Sequence, residues 1–288
     1  MLERILDAVE HASALDRLTK AADAALRPAL RQPRVSRLLS GAWLGHRVHP
    51  MLTDAVIGTW MSASIIDALG GPESRRAARR LVGVGLVSAV PTVLTGAHDW
   101  LDYGRKVRRV GLVHALANKV ALLLQLASWR ARGRGDHRRG AALSLGAMAA
   151  GGLGAYVGGH LSLVLGAGVE RTAFQEAPGD WTPTVPYEQL QRDRRAAFDA
   201  DGTGILLVLE ADRVHALADT CNHAGCSLAE GAVADGAVTC PCHGSRFRLT
   251  DGKTLAGPAA AGQPTFETRV RGGVVEVRER QPSRGGAT

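Results

Sequence analysis

Cys221-Asn222-His223 is followed, after sixteen intervening residues, by Cys240-Pro241-Cys242-His243. Each segment supplies one thiolate and one imidazole. A two-iron, two-sulfide centre takes this donor set when Cys221 and Cys240 hold one iron and His223 and His243 the other. Neutral imidazoles in place of two thiolates leave such a centre less negative, so it accepts an electron more readily. The potential then lies at about −150 to +300 mV, against about −400 mV for the all-cysteine plant type. Zinc also takes two cysteines and two histidines, but its structural sites usually pair Cys-x-x-Cys with a separate histidine pair. The mixed segments therefore point to iron and one-electron transfer.

The flanking residues, Cys221-Asn222-His223-Ala224-Gly225-Cys226 and Cys240-Pro241-Cys242-His243-Gly244-Ser245, resemble the Rieske family. The resemblance implies a small antiparallel β domain with one 2Fe-2S cluster held between two loops. It also implies a role for the remaining two of the chain's four cysteines. Cys226 and Cys242 stand where the cytochrome bc type of Rieske protein carries a disulfide that clamps its cluster loops, a pair many ferredoxin-type domains lack. Ser245 stands where that type gives a hydroxyl to a cluster sulfide, but Phe247 replaces its nearby tyrosine. One hydrogen bond to the reduced cluster is then missing, and a potential below that of a quinol-oxidising Rieske protein is expected. Gly257-Pro258-Ala259 resembles the proline loop that covers the cluster, although a Pro/Gly pair is also an ordinary turn signal.

The elements that would position these loops are short. Ile205–Glu210 and Val214–Ala218 are apolar runs of strand length, and Asp235-Gly236 and Gly272-Gly273 are hairpin signals. The expected β domain spans 184–280, after a linker at 171–183 and before a disordered tail at 281–288.

The preceding half has a different composition. Met51–Leu69, Leu81–Ala97, Val110–Ala127 and Ala141–Val169 approach or exceed the roughly 20 apolar residues that cross a bilayer. The expected architecture is a multi-domain α plus β chain, a four-helix transmembrane bundle over 39–170 followed by the small all-β domain. A soluble helical bundle is the alternative. Asn118, Lys119 and Gln125 make the third span the weakest, whereas Trp43, Trp100 and Trp129 near span ends fit an aromatic belt. Ala147, Gly151, Ala155 and Gly159, with Ala150, Gly154 and Gly158, form stripes of small residues that admit close helix packing in lipid. Residues 1–38, with Leu2, Ile5, Leu6 and Val9 at helical spacing, suit an amphipathic surface helix or an ordinary packed one. Gly45-His46-Arg47-Val48-His49-Pro50, Gly96-Ala97-His98-Asp99-Trp100, Gly111-Leu112-Val113-His114 and Gly158-Gly159-His160-Leu161 resemble a bacterial four-helix membrane domain of uncharacterised function often joined to a Rieske domain. No activity comes with that resemblance.

In an antiparallel zigzag, His49, His98, His114 and His160 all lie toward one face, the face that carries the β domain. Imidazoles there would suit haem b, another metal or a quinone pocket, or a structural hydrogen-bond network; the three stay open. Asp54 and Asp67 pair with Lys119, serve proton transfer, or are satisfied by water or a cap.

Orientation is balanced, with nine Lys or Arg at each end of the spans. The basic first fifty residues lack a signal-peptide core, which leans toward a cytoplasmic β domain in a multi-pass cell-membrane protein, whereas a lasting disulfide favours the oxidising side. The formal charge of +8 sits largely in short loops between spans, where headgroups account for it, so nucleic acid is excluded as a partner. Lipid and an unidentified redox protein are the expected partners. The leading function is membrane-anchored electron transfer between a membrane or soluble donor and an unidentified acceptor. A quinol- or haem-linked oxidoreductase and a redox sensor are the alternatives.

Overall fold

The computed structural model describes residues 2–280, so the tail expected at 281–288 lies outside the described residues. The chain divides into two units, Met1–Leu39 with Arg47–Gly168, and Ser40–His46 with Val169 onward.

The first unit is helical. Short helices α1 (Leu2–His11), α2 (Asp16–Leu30) and α3 (Pro33–Ser40) precede four long ones, α4 (Val48–Leu69), α5 (Arg75–Trp100), α6 (Arg105–Gly133) and α7 (His137–Gly159). A π-helical turn, His160–Val164, extends α7. The long helices are joined by short turns, and the last begins with Asp136 accepting the backbone N–H of Arg139 at 3.1 Å, an N-cap that satisfies one orphan donor.

Among the described residues, three segments are long and apolar enough to cross a membrane: Pro72–Trp100, Arg105–Gly133 and His137–Val164. Three of the four expected spans meet this criterion. The helix that falls short is α4, because Asp54 and Asp67, together with His49 and interspersed Thr and Ser residues, dilute its apolar run. The segment expected to be weakest, in α6, has the highest mean hydropathy of the three, 1.6. Two of its three interrupting polar residues turn inward, since Gln125 is fully buried and Asn118 lies against Gly154 of α7, whereas Lys119 is exposed. Asp67 pairs with Arg132 of α6 rather than with Lys119.

One of the two small-residue rows of α7, the one holding Gly154 and Gly158, has the expected use, while a Cβ at Gly159 in the other row would meet nothing within 4 Å. A Cβ at Gly154 would lie 2.7 Å from Asn118 Oδ1, and one at Gly158 would lie 3.0 Å from the His114 ring, so glycine lets α7 approach α6 closely. At the N-terminus, α1 packs on the bundle, with Leu6 buried beside Val110 and Val157. The Asp16 carboxylate receives Arg109 Nε and Nη2 at 2.7 and 2.8 Å.

The second unit is a two-sheet β domain. One sheet has six strands in the order β1-β10-β9-β4-β3-β2: β1 (Thr182–Pro186), β2 (Arg195–Ala200), β3 (Thr203–Glu210), β4 (Arg213–Ala218), β9 (Thr265–Arg271) and β10 (Val274–Glu279). The other has four, in the order β5-β6-β7-β8: β5 (Ala232–Ala234), β6 (Ala237–Thr239), β7 (Arg246–Arg248) and β8 (Thr254–Ala256). A short helix, α8 (Tyr187–Asp193), follows β1. The first strand begins at Thr182, two residues before the expected domain start.

Side-chain alternation along β3 explains its continuous apolar run. Ile205, Leu207 and Leu209 enter one core, while Leu206 and Val208 enter the other with Val238, Phe247, Cys221 and Cys240. The second core thus forms the floor beneath the cysteine segments. Both hairpin signals are real turns: Asp235 and Gly236, and Gly272 and Gly273, all have positive φ.

Candidate metal centre

The two cysteine segments occupy loops between β4 and β5 and between β6 and β7, and they repeat one turn. The Cys221 N–H donates to the Cys226 carbonyl, and the Cys221 carbonyl accepts from the Gly225 N–H, both at 2.8 Å. The Cys240 N–H donates to the Ser245 carbonyl at 2.8 Å, and its carbonyl accepts from the Gly244 N–H at 3.1 Å. The offsets from each cysteine are identical. Gly225 and Gly244 have φ of 85° and 73°, a left-handed conformation in which a Cβ is strained.

This repeated turn brings all six expected residues together. Cys221 and Cys240 are free and buried, and the rings of His223 and His243 meet edge to face with centroids 5.2 Å apart. Cys226 and Cys242 form a disulfide, which ties one loop to the other. The imidazoles differ in exposure: His223 is 4% exposed, whereas His243 is open to solvent.

The donor set fits a cation-rich cluster. Cys221 and Cys240 hydrogen-bond to each other, which pulls the Cys240 thiol down to about 6 and, with burial, pushes the Cys221 thiol up. Backbone N–H groups of His223 and Ala224 face the Cys221 sulfur, and those of Cys242 and His243 face the Cys240 sulfur. Such N–H groups favour the thiolate, the form that binds metal. The Cys240 sulfur also lies within 4.8 Å of the Cys226 and Cys242 sulfurs, but disulfide sulfurs carry no thiolate charge, so that trio is not a ligand set.

A third loop, between β8 and β9, closes over these two. Gly257 has φ of 90°, and a Cβ there would lie 2.5 Å from Ser245 Cα, so only glycine permits this approach. Pro258 is buried. Ser245, fully buried, accepts the Ala259 N–H at 3.1 Å, which leaves its hydroxyl hydrogen to donate elsewhere. Phe247 is fully buried in the core beneath.

Two residues that sequence reasoning passed over hold this third loop. Asn222 Nδ2 donates to the carbonyls of Ala261 and Gly262 at 3.0 and 2.9 Å. Gln263 Oε1 accepts the Asn222 N–H at 3.1 Å, while its Nε2 donates to the carbonyls of Ala218 and Thr220, both at 2.7 Å. Only the place of Asn222 between two candidate ligands could have drawn attention to it; Gln263 has no sequence signal.

His49, His98, His114 and His160 lie toward one end of the helical unit but serve separate contacts. His98 is fully buried, with Nε2 3.0 Å from both Arg31 Nη1 and Ser36 Oγ and Nδ1 3.4 Å from Asp99. His114 donates from Nδ1 to the Gly154 carbonyl at 2.8 Å and has Asn118 Nδ2 3.1 Å from Nε2. His49 Nδ1 donates to the Thr92 carbonyl at 3.0 Å, and His160 Nε2 lies 2.9 Å from Glu10 Oε1. His98 and His114 thus have both ring nitrogens committed. Nothing in these contacts supports haem or quinone.

Comparison with known proteins bears on both units. Residues 180–267 match the Rieske 2Fe-2S domain, and residues 45–171 match a predicted membrane protein (DUF2231). The anthranilate 1,2-dioxygenase ferredoxin subunit of Burkholderia cepacia is 30% identical over 98 residues, 34% of this chain and 91% of that protein. The 3-phenylpropionate/cinnamic acid dioxygenase ferredoxin subunit of Escherichia coli (strain K12) is 38% identical over 71 residues, 24% of this chain and 67% of that protein. Among solved structures, the ferredoxin of carbazole 1,9a-dioxygenase from Nocardioides aromaticivorans IC177 is similar, with 26% identity and a TM-score of 0.33, over 35% of this chain and all of that one.

Proposed function

The chain belongs to the Rieske 2Fe-2S family through its C-terminal domain and carries a DUF2231 domain before it, and from that premise we propose a membrane-anchored one-electron carrier. The observation that carries the reading is the repeated cysteine turn, which presents two free thiols and two imidazoles between disulfide-linked loops. Cys221 and Cys240 hold one iron, and His223 and His243 the other. When bound there, the cluster supplies a one-electron couple at about −150 to +300 mV. The backbone N–H groups facing each sulfur steady the thiolate charge. The disulfide and the Pro258 loop keep the centre dry, and the Ser245 hydroxyl donates toward it. With Phe247 in place of a second hydroxyl donor, the potential falls in the lower part of that range. His243, open to solvent, is the point where a partner makes electronic contact.

Donor and acceptor are a membrane or soluble reductant and an oxidant yet to be identified. The dioxygenase ferredoxin subunits among the relatives favour a soluble partner protein. The three apolar helices cross the bilayer, and α4 crosses beside them with Asp67 neutralised by Arg132. The disulfide between Cys226 and Cys242 favours the oxidising side for the β domain.

The test is metal analysis with EPR and a redox titration of the purified, dithionite-reduced full chain. Two irons per chain and a rhombic reduced-state signal that vanishes in Cys221→Ser are expected. Stoichiometric zinc and a silent spectrum would sink the proposal.

A further inference from the structure

The two ends of the helical unit treat their cations differently. At the end where α5 passes to α6, the protein supplies its own counter-ions: Arg31 pairs with Asp102, Arg47 with Asp99, Lys106 with Glu10, Arg108 with Asp23 and Arg109 with Asp16. Glu10, Asp16 and Asp23 come from α1 and α2, so the N-terminal helices neutralise that end of the bundle.

The opposite end has no such supply. There Arg132 is paired internally with Asp67, and Arg79 lies over the Trp129 ring, 4.6 Å from its centroid. Arg75, Arg76 and Arg80 in the first turns of α5, and Arg130, Arg138 and Arg139 beside the α6–α7 turn, are all exposed. Among the described residues none of these six has a carboxylate at ion-pair distance, since the pairs that form at this end involve only Arg132. Glu73 and Asp136 are the acidic residues on these turns, and Asp136 is engaged as the α7 cap. The surface next to the arginines is aliphatic: Leu69, Val87 and Leu145 are 85%, 73% and 70% exposed.

We propose that this end binds anionic phospholipid headgroups, with the guanidinium groups on the phosphodiesters and the acyl chains along the exposed aliphatic side chains. Arginine suits phosphate because its planar fork makes paired hydrogen bonds. A headgroup plus acyl chain also matches a surface that is cationic above and apolar below. Each basic residue near an anionic membrane surface contributes about fivefold in affinity. The inference rests on the membrane-spanning reading of the long helices.

The test uses the full chain reconstituted in phosphatidylcholine vesicles doped with spin-labelled phosphatidylglycerol or spin-labelled phosphatidylcholine. Wild-type protein is expected to immobilise the anionic label in preference to the zwitterionic one, with the preference falling at high salt. The R75Q/R76Q/R80Q variant should lose roughly tenfold or more of that preference, while R192Q/K253Q on the β domain should keep it. If the triple variant fails to incorporate, R138Q/R139Q is read in its place. Equal immobilisation of both labels by wild type, or an unchanged preference in the variants, overturns the lipid inference alone. Immobilisation of neither label overturns it together with the membrane reading.

Discussion

Gln263 and Ser245 tie the proline loop to the two cysteine loops, and each tie is a buried hydrogen bond that water cannot replace. In Gln263→Leu the Asn222 N–H and the Ala218 and Thr220 carbonyls lose their partners, at a cost of about 1–3 kcal/mol for each group left buried and unsatisfied. The expected readout is faster bleaching of the cluster's visible absorbance on warming, together with a shifted midpoint potential; Gln263→Glu should recover part of the lifetime. Ser245→Ala should lower the potential, because a donor to the reduced centre is lost, and an unchanged redox titration would refute that role. Breaking the disulfide with Cys226→Ser and Cys242→Ser removes a cross-link between residues 16 apart, about 3 kcal/mol by loop-closure entropy, measurable as a lower denaturant midpoint. At this scale the sequence was informative where chemistry is local. The spacing within each cysteine segment is a property of a few consecutive residues, so the candidate ligands could be read directly. The Asn222–Gln263 tie joins residues 41 apart, and no local pattern records it.

Helices and their pairings show the same division between local and long-range information. The apolar runs of α5, α6 and α7 were legible because span length and composition are local quantities. The place of α4 was not, since Asp67 looks like a defect until Arg132 of α6 is in place. Arg132 is fully buried against Asp67 and also donates Nε to Ser128 Oγ at 3.0 Å. Arg132→Gln strands the carboxylate and should cost about 3–5 kcal/mol, seen as a lower thermal midpoint in detergent. The paired replacement Asp67→Leu with Arg132→Met should recover most of it. The attachment of α1 and α2 is acid-labile for a stated reason. Hydrogen bonds from His160 and Arg27 hold the Glu10 and Asp23 carboxyls below the usual range, as the Arg109 guanidinium does for Asp16. A depressed carboxyl contributes stability above its unfolded pKa and loses it as pH falls through the lower folded value. Protection factors of the α1 and α2 amides, taken against the intrinsic exchange rate at each pH, should therefore hold from about pH 5 to 8 and fall below about pH 4.

For the whole molecule, counting cations left the two sides of the membrane equal, and the structure changes the weight of that count by showing which cations already have counter-ions. An end that leaves its arginines for lipid suits the anionic cytoplasmic leaflet, and the oxidised Cys226–Cys242 pair suits the opposite compartment. A C-terminal periplasm-only reporter is accordingly expected to be active; activity only from a cytoplasmic reporter would reverse the assignment. The doubled cysteine turn has one more consequence. Its backbone is a repeat, but the histidines sit at different offsets, two residues after Cys221 and three after Cys240. One imidazole is enclosed and the other reaches water. In the carrier proposed above, this wiring would leave a single electrical terminal, at which reductant and oxidant take turns.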